Sequence, residues 1–180
     1  MGNIKKMINF SRMAALGAAL AGITFAAAPA TAAPTGVTGA KPQAKARIIR
    51  PLTLTAVRNL DFGTIVLGAV ASGGESVAIS TAGVLSCGTS GLTCSGTAQA
   101  ARYNVTGTQG QVVTVAATNS TLTGSNGGSL NFVPAVPANF TLANSGAPGS
   151  NFDVGGAITI LPTTVDGLYS GDMNVTVDYQ

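Results

Sequence analysis

Gly167-Leu168-Tyr169-Ser170-Gly171-Asp172-Met173-Asn174-Val175-Thr176-Val177-Asp178-Tyr179-Gln180 is the stretch that decides the fold. Taken two by two, Tyr169, Gly171, Met173, Val175, Val177 and Tyr179 fall on one side. Ser170, Asp172, Asn174, Thr176, Asp178 and Gln180 fall on the other. Only an extended chain puts residues i, i+2 and i+4 on one face, so the segment is read as a half-buried β-strand. It contains no proline, and its valines and threonine favour the pleated state. A long terminal strand with one apolar face needs neighbours on both edges, or it stays open to pairing with another chain.

Working back from that strand, the chain repeats the same pattern in short pieces. Strands are expected over Ala46–Val57, Leu60–Gly68, Val77–Ala82, Ala98–Thr106, Val112–Ala117, Leu130–Val133, Phe140–Ala143 and Ala157–Leu161. Between them stand turn residues: Ser72-Gly73-Gly74, Gly107-Thr108-Gln109-Gly110, a Gly124–Gly128 loop, and Pro134, Pro137, Pro148 and Pro162. Many short strands at regular spacing mean an antiparallel sandwich or barrel, and no amphipathic helix interrupts them. Pro51 has no N–H to give a ladder, which confines that point to an edge or a break.

The N-terminal stretch has a different character. Lys5, Lys6 and Arg12 precede an uncharged apolar run from Met13 to Ala28. Small residues then offer cleavage after Ala30 or Ala32, so residues 1–32 read as a secretory signal peptide. The mature chain then begins at Thr31 or Ala33, and it contains no transmembrane segment. Of the nine Lys and Arg, six remain once those three are removed, against six Asp and Glu. The basic isoelectric point is therefore a property of the leader and carries no argument for nucleic acid. The remaining charges are segregated. Ala33–Arg58 holds Lys41, Lys45, Arg47, Arg50 and Arg58 with no acid, while Asn59–Gln180 holds Arg102 against six acids. A basic leader, residues 33–58, precedes an acidic body, residues 59–180. Residues 33–45 are too polar and too rich in proline and glycine to order themselves.

Chemistry is sparse. There is no histidine, so Ser-His and Cys-His nucleophile pairs are unavailable. The acids are scattered, and Asp166 with Asp172 lacks the alternating oxygen ligands of a calcium loop. No glycine-rich turn leads into a helix, so phosphate binding has no support. The chain is read as a non-enzyme that needs no cofactor or metal. Cys87 and Cys94 are the only cysteines, an even count that in an exported protein implies a disulfide.

Three features then coincide: the alternating segment soon after the leader, Leu60-Asp61-Phe62-Gly63-Thr64 at the start of the body, and Asp166-Gly167-Leu168-Tyr169 leading into a last strand with a penultimate tyrosine. Together they resemble the subunits of bacterial chaperone-usher pili of the archaic, spore-coat-U type. The whole chain also resembles a family of secreted bacterial proteins whose domain has no assigned function. The pilin resemblance implies an incomplete immunoglobulin-like sandwich completed by a donor strand. Its groove would lie beside Tyr169, Met173, Val175, Val177 and Tyr179, and the donor would be Ala46–Val57 with Ile48, Leu52, Leu54 and Ala56. A periplasmic chaperone would fill the groove first and the next subunit later, with an outer-membrane usher assembling a fibre at the cell surface. Two readings stay open: a pilus or surface-fibre subunit that self-associates by strand exchange, or a self-contained secreted β-sandwich with a binding or coat role, in which Ala46–Val57 is its own first strand.

Overall fold

The computed structural model of the chain describes residues 32–180. The expected signal peptide falls almost wholly outside them. Residues 32–45 are exposed and carry neither strand nor helix. Residues 46–180 form a compact unit built only of strands.

Thirteen strands follow in order: β1 (Thr53–Arg58), β2 (Thr64–Leu67), β3 (Glu75–Ile79), β4 (Leu85–Ser86), β5 (Leu92–Ser95), β6 (Ala101–Thr106), β7 (Val112–Thr118), β8 (Ser120–Gly124), β9 (Ser129–Ala135), β10 (Phe140–Thr141), β11 (Ser150–Ile160), β12 (Tyr169–Ser170) and β13 (Asn174–Tyr179). Every pairing is antiparallel. The main sheet runs β1-β6-β11-β9-β8-β12, with β3 also on β11 and β4 on β3. A second sheet runs β10-β7-β13, and β2 and β5 make a separate ribbon.

The sheets are layered because each buries one face. Val105, Phe152 and Val154 of the main sheet meet Val113 and Val115 of β7 and the inward side of β13. A second cluster joins Val77, Ile79, Leu130, Phe132, Ile158 and Ile160 under the β2–β5 ribbon. Leu60 and Met173 touch both clusters. The fold is thus an all-β antiparallel sandwich, as the strand pattern predicts. Among the described residues no polar or charged residue is fully buried.

Several expected strands change extent. The one expected over 46–57 runs from Thr53 to Arg58, because Pro51 has no N–H for a ladder. The one expected over 157–161 is the C-terminal half of β11, an eleven-residue strand. β8 fills a span left unassigned, and β4 and β5 flank the cysteine loop. Pro134 is accommodated inside β9, where the partner is Gly156 and the β8 pairing has already ended at Phe132.

β7 and β8 are nearly continuous, and β12 and β13 run antiparallel beside them. Ser170 pairs with Thr123 and Asn174 with Thr118, so four steps on one side oppose five on the other. The extra residue lies in the β7–β8 chain, where Asn119 separates the two strands. An extra residue of this kind bends the pair, and here it lets both runs pass from one sheet to the other.

Candidate functional site

The C-terminal run is anchored at both ends. Asp166-Gly167 turns the chain at φ 147° for Gly167, a conformation that favours glycine. The turn docks on Ser125, whose N–H donates to the Leu168 carbonyl at 2.9 Å, while the Leu168 N–H donates to Ser125 Oγ at 3.0 Å. Tyr169 then lays its ring over Gly124, where a Cβ would come within 2.9 Å of it, and donates its hydroxyl to the Val165 carbonyl at 2.7 Å. At the far end the Tyr179 hydroxyl accepts from Thr108 N–H at 2.8 Å and donates to the Arg50 carbonyl at 2.7 Å.

Between these anchors Tyr169, Met173, Val175, Val177 and Tyr179 are all half-buried and their alternates exposed, the alternation expected of the segment. None of the five is fully covered. β13 pairs with β7 along one edge and has no partner strand along the other.

Beside that run lies a groove of about 1010 Å³. Ala56–Leu67 forms one side and Pro162–Met173 the other. Leu122, Leu130, Phe132, Ile158 and Ile160 form an apolar floor. Asp61, Asp166 and Asp172 stand on its walls with Arg58. Leu168 is 76% exposed there. Tyr103 also lines the groove, and burial pushes its hydroxyl pKa up.

The sequence-expected residues divide. Tyr169 and Met173 line the groove, whereas Val175, Val177 and Tyr179 face the neighbouring cluster. Of the donor-strand residues, Leu52 and Leu54 pack against the chain's own cluster around Val105, Phe152 and Val154, with Leu54 opposite Val105 of β6. Ala56 faces the groove as part of its wall. Ile48 alone stands free, 91% exposed. Within one chain β1 is therefore the sandwich's own strand, and the separate run is what precedes it. That run is tied down by Arg47 donating to Gln111 and by Arg50 N–H donating to Thr108 Oγ1 at 2.7 Å. Cys87 and Cys94 stand 1.98 Å apart sulfur to sulfur, in disulfide geometry.

On the outer face of the main sheet, Arg102 makes two 2.7 Å hydrogen bonds to Asp153, and Arg58 approaches it at 3.8 Å. The Arg102 hydrogen bond holds the Asp153 carboxyl below the usual range against the opposing effect of burial. This cluster joins β1, β6 and β11 and faces away from the core. Among the described residues no three His, Cys, Asp or Glu side chains gather as for a metal ion, and no helix is long and apolar enough to cross a membrane.

The sequence model of a family described as a Domain of unknown function (DUF4402) matches residues 52–179. The chain belongs to that family. No curated protein and no solved structure matches it. The DUF4402 domain begins at Leu52 and ends at Tyr179, so it takes in β1 and the whole C-terminal run. The exposed run around Ile48 lies ahead of the domain.

The sequence reading sets a groove beside the terminal strand, but it does not supply the groove's floor or its opposite wall. The floor comes from β8, β9 and β11, and only the pairing registers bring those side chains to one place. The available signal was the unpaired terminal strand, which marks one border.

Proposed function

We propose that this DUF4402 chain is an exported structural subunit of a pilus or surface fibre, assembled by adding a β-strand from one copy to the groove of the next. The carrying observation is the juxtaposition of an apolar floor with the unpaired outer edge of the C-terminal run. An added strand would satisfy that edge with backbone hydrogen bonds and cover the floor with alternate side chains. The motif likeness to chaperone-usher pilins supports the same reading. A periplasmic chaperone would occupy the groove before assembly, and an outer-membrane usher would receive the subunit. An immunoglobulin-like kinship belongs to this proposal as well.

The occupant is the segment of a second copy centred on Lys45-Ala46-Arg47-Ile48-Ile49-Arg50. It pairs with no strand of its own chain and is exposed, and its isoleucines suit a strand. Six residues span roughly 20 Å, comparable with the Tyr169–Met173 edge of the groove. Its three bases complement Asp61, Asp166 and Asp172 on the groove walls. The groove lies where β1 ends and β13 begins, whereas the segment leaves where β1 begins and β13 ends. A segment at one pole and a groove at the other make a head-to-tail contact, which is open and propagates into a filament. Donation costs the hydrogen bonds of Arg47 and Arg50, each worth about 0.5–1.5 kcal/mol net.

One observation favours the second reading, a self-contained secreted sandwich: β1 is already paired in cis. Size-exclusion chromatography of periplasmic protein, with and without an added peptide of residues 33–51, separates the two. A ladder of multimers that the free peptide shortens supports the fibre. A monomer that binds no peptide overturns it.

A further inference from the structure

β2 and β5 pair only with each other. A two-stranded ribbon is marginal by itself, yet this one supplies a wall of the groove through Ile65 and Leu67. The register sets Ile65 opposite Cys94 and Leu67 opposite Leu92. Cys94 is bonded to Cys87, which follows directly on β4, and β4 is paired to β3 of the main sheet through Ala78↔Ser86 and Ile79↔Leu85. A second tie runs parallel to the disulfide. Glu75, also on β3, accepts from Ser90 Oγ at 2.9 Å and from Ser90 N–H at 3.1 Å to its nearer oxygen. At the ribbon's other end, Asp61 and Gln99 exchange backbone hydrogen bonds of 2.9 and 2.8 Å.

Resting on the strand-accepting reading above, we propose that Cys87–Cys94 and Glu75 are positioning groups of the groove. They lash the β2–β5 ribbon to β3 and β4, and so hold Ile65 and Leu67 in place as a preformed wall. The two ties differ in chemistry but act on the same short loop, so loss of either loosens the wall without removing any residue of the floor. A wall that must be ordered on binding lowers affinity, because the ordering cost is then charged to association.

The test uses the full chain in its monomer fraction, with a fluorescent peptide of residues 33–51 read by anisotropy and backbone hydrogen exchange read by mass spectrometry. The variants are Cys87→Ser with Cys94→Ser, Glu75→Ala, and Glu75→Gln, which keeps an acceptor oxygen. Affinity is expected to fall about tenfold in the cysteine double variant and about threefold in Glu75→Ala, with Glu75→Gln closer to wild type. Exchange should quicken in β2 and β5 and stay unchanged in β6 and the N-terminal half of β11. If the wild type binds and all variants bind equally, the positioning role is overturned while the groove reading stands. If protection in β6 and β11 collapses in both the cysteine double variant and Glu75→Ala, the two ties serve the whole fold and the proposal fails. If only the cysteine double variant unfolds, Glu75→Ala decides. If the wild type binds no peptide, the strand-accepting reading falls, and this inference with it.

Discussion

Tyr179→Phe should loosen the N-terminal run while leaving the sandwich intact. Tyr179 packs on the cluster around Val105, Phe152 and Val154, and phenylalanine preserves that burial. What disappears is the oxygen that joins Thr108 N–H at 2.8 Å to the Arg50 carbonyl at 2.7 Å. Each such bond is worth about 0.5–1.5 kcal/mol net. Arg50 is exposed, so water replaces the partner of its carbonyl, whereas the Thr108 bond is partly buried. The expected loss is about 1–2 kcal/mol, a fall in thermal midpoint of roughly 3–8 °C for a domain of this size. Of the two bonds only the one to the Arg50 carbonyl holds the run, so its opened fraction rises by about 2–12-fold. Trypsin reads this directly at the Arg47–Ile48 bond, since Arg50 is protected by the following proline. Tyr169→Phe is the control. Its hydroxyl serves only Val165, so cleavage at Arg47 should not change. A Tyr179→Phe protein with wild-type midpoint and wild-type cleavage at Arg47 would refute the latch.

Val175→Asp should cost about 2–3 kcal/mol, because Val175 is half-buried against the core without a base beside it, while exposed Thr176→Asp should stay within about 0.5 kcal/mol; equal thermal midpoints would contradict the alternation along β13. Asp153 is held below the usual carboxylate range chiefly by the Arg102 hydrogen bond, so its stabilising contribution is present above the unfolded pKa of about 3.9 and is lost as pH falls through the lower folded value. Midpoints of wild type and Asp153→Asn should therefore differ at neutral pH and converge in acid, and a constant gap would count against the ion pair. Gly167→Ala forces a left-handed backbone on a residue whose Cβ would lie 2.9 Å from Ser125 Oγ. The expected cost is about 1–3 kcal/mol, with weaker peptide binding through a displaced groove wall, and an unchanged midpoint would show that the turn tolerates a side chain.

How much was legible from sequence depended on whether the buried face of a strand is unbroken by glycine. In β13 it is, and its alternation was visible residue by residue. In β11 it is not. Phe152, Val154, Ile158 and Ile160 share one buried face, but Gly156 stands among them, and Gly155-Gly156 looks like a turn. Gly156 sits inside the strand because a Cβ there would strike the ring of Phe132. β8 offered one apolar residue, Leu122, between threonines, too little for a periodic signal. The donor-strand reading treated Ala46–Val57 as a unit because the alternation of Leu52, Leu54 and Ala56 is real. It does not say whose sandwich those side chains enter, and here Leu52 and Leu54 enter their own.

The distribution of sheet edges bears on the same question. Proteins protect edges by shortness, proline or charge. β10 and β4 are two residues long, and β10 follows closely on Pro137. β1 is preceded by Pro51 and ends on Arg58, which reaches back to the Ala100 carbonyl. The β2–β5 ribbon is four residues long and disulfide-tied. β13 has six residues, neither proline nor base, and a partner on one side only. The least guarded edge is thus that of β13, which begins directly after Met173, the last residue lining the groove; along the groove itself β12 pairs only with β8. A chain under pressure to stay monomeric gains nothing from leaving the edge of β12 open beside an uncovered apolar floor. A chain in which one incoming strand completes both has a physical reason to keep them together.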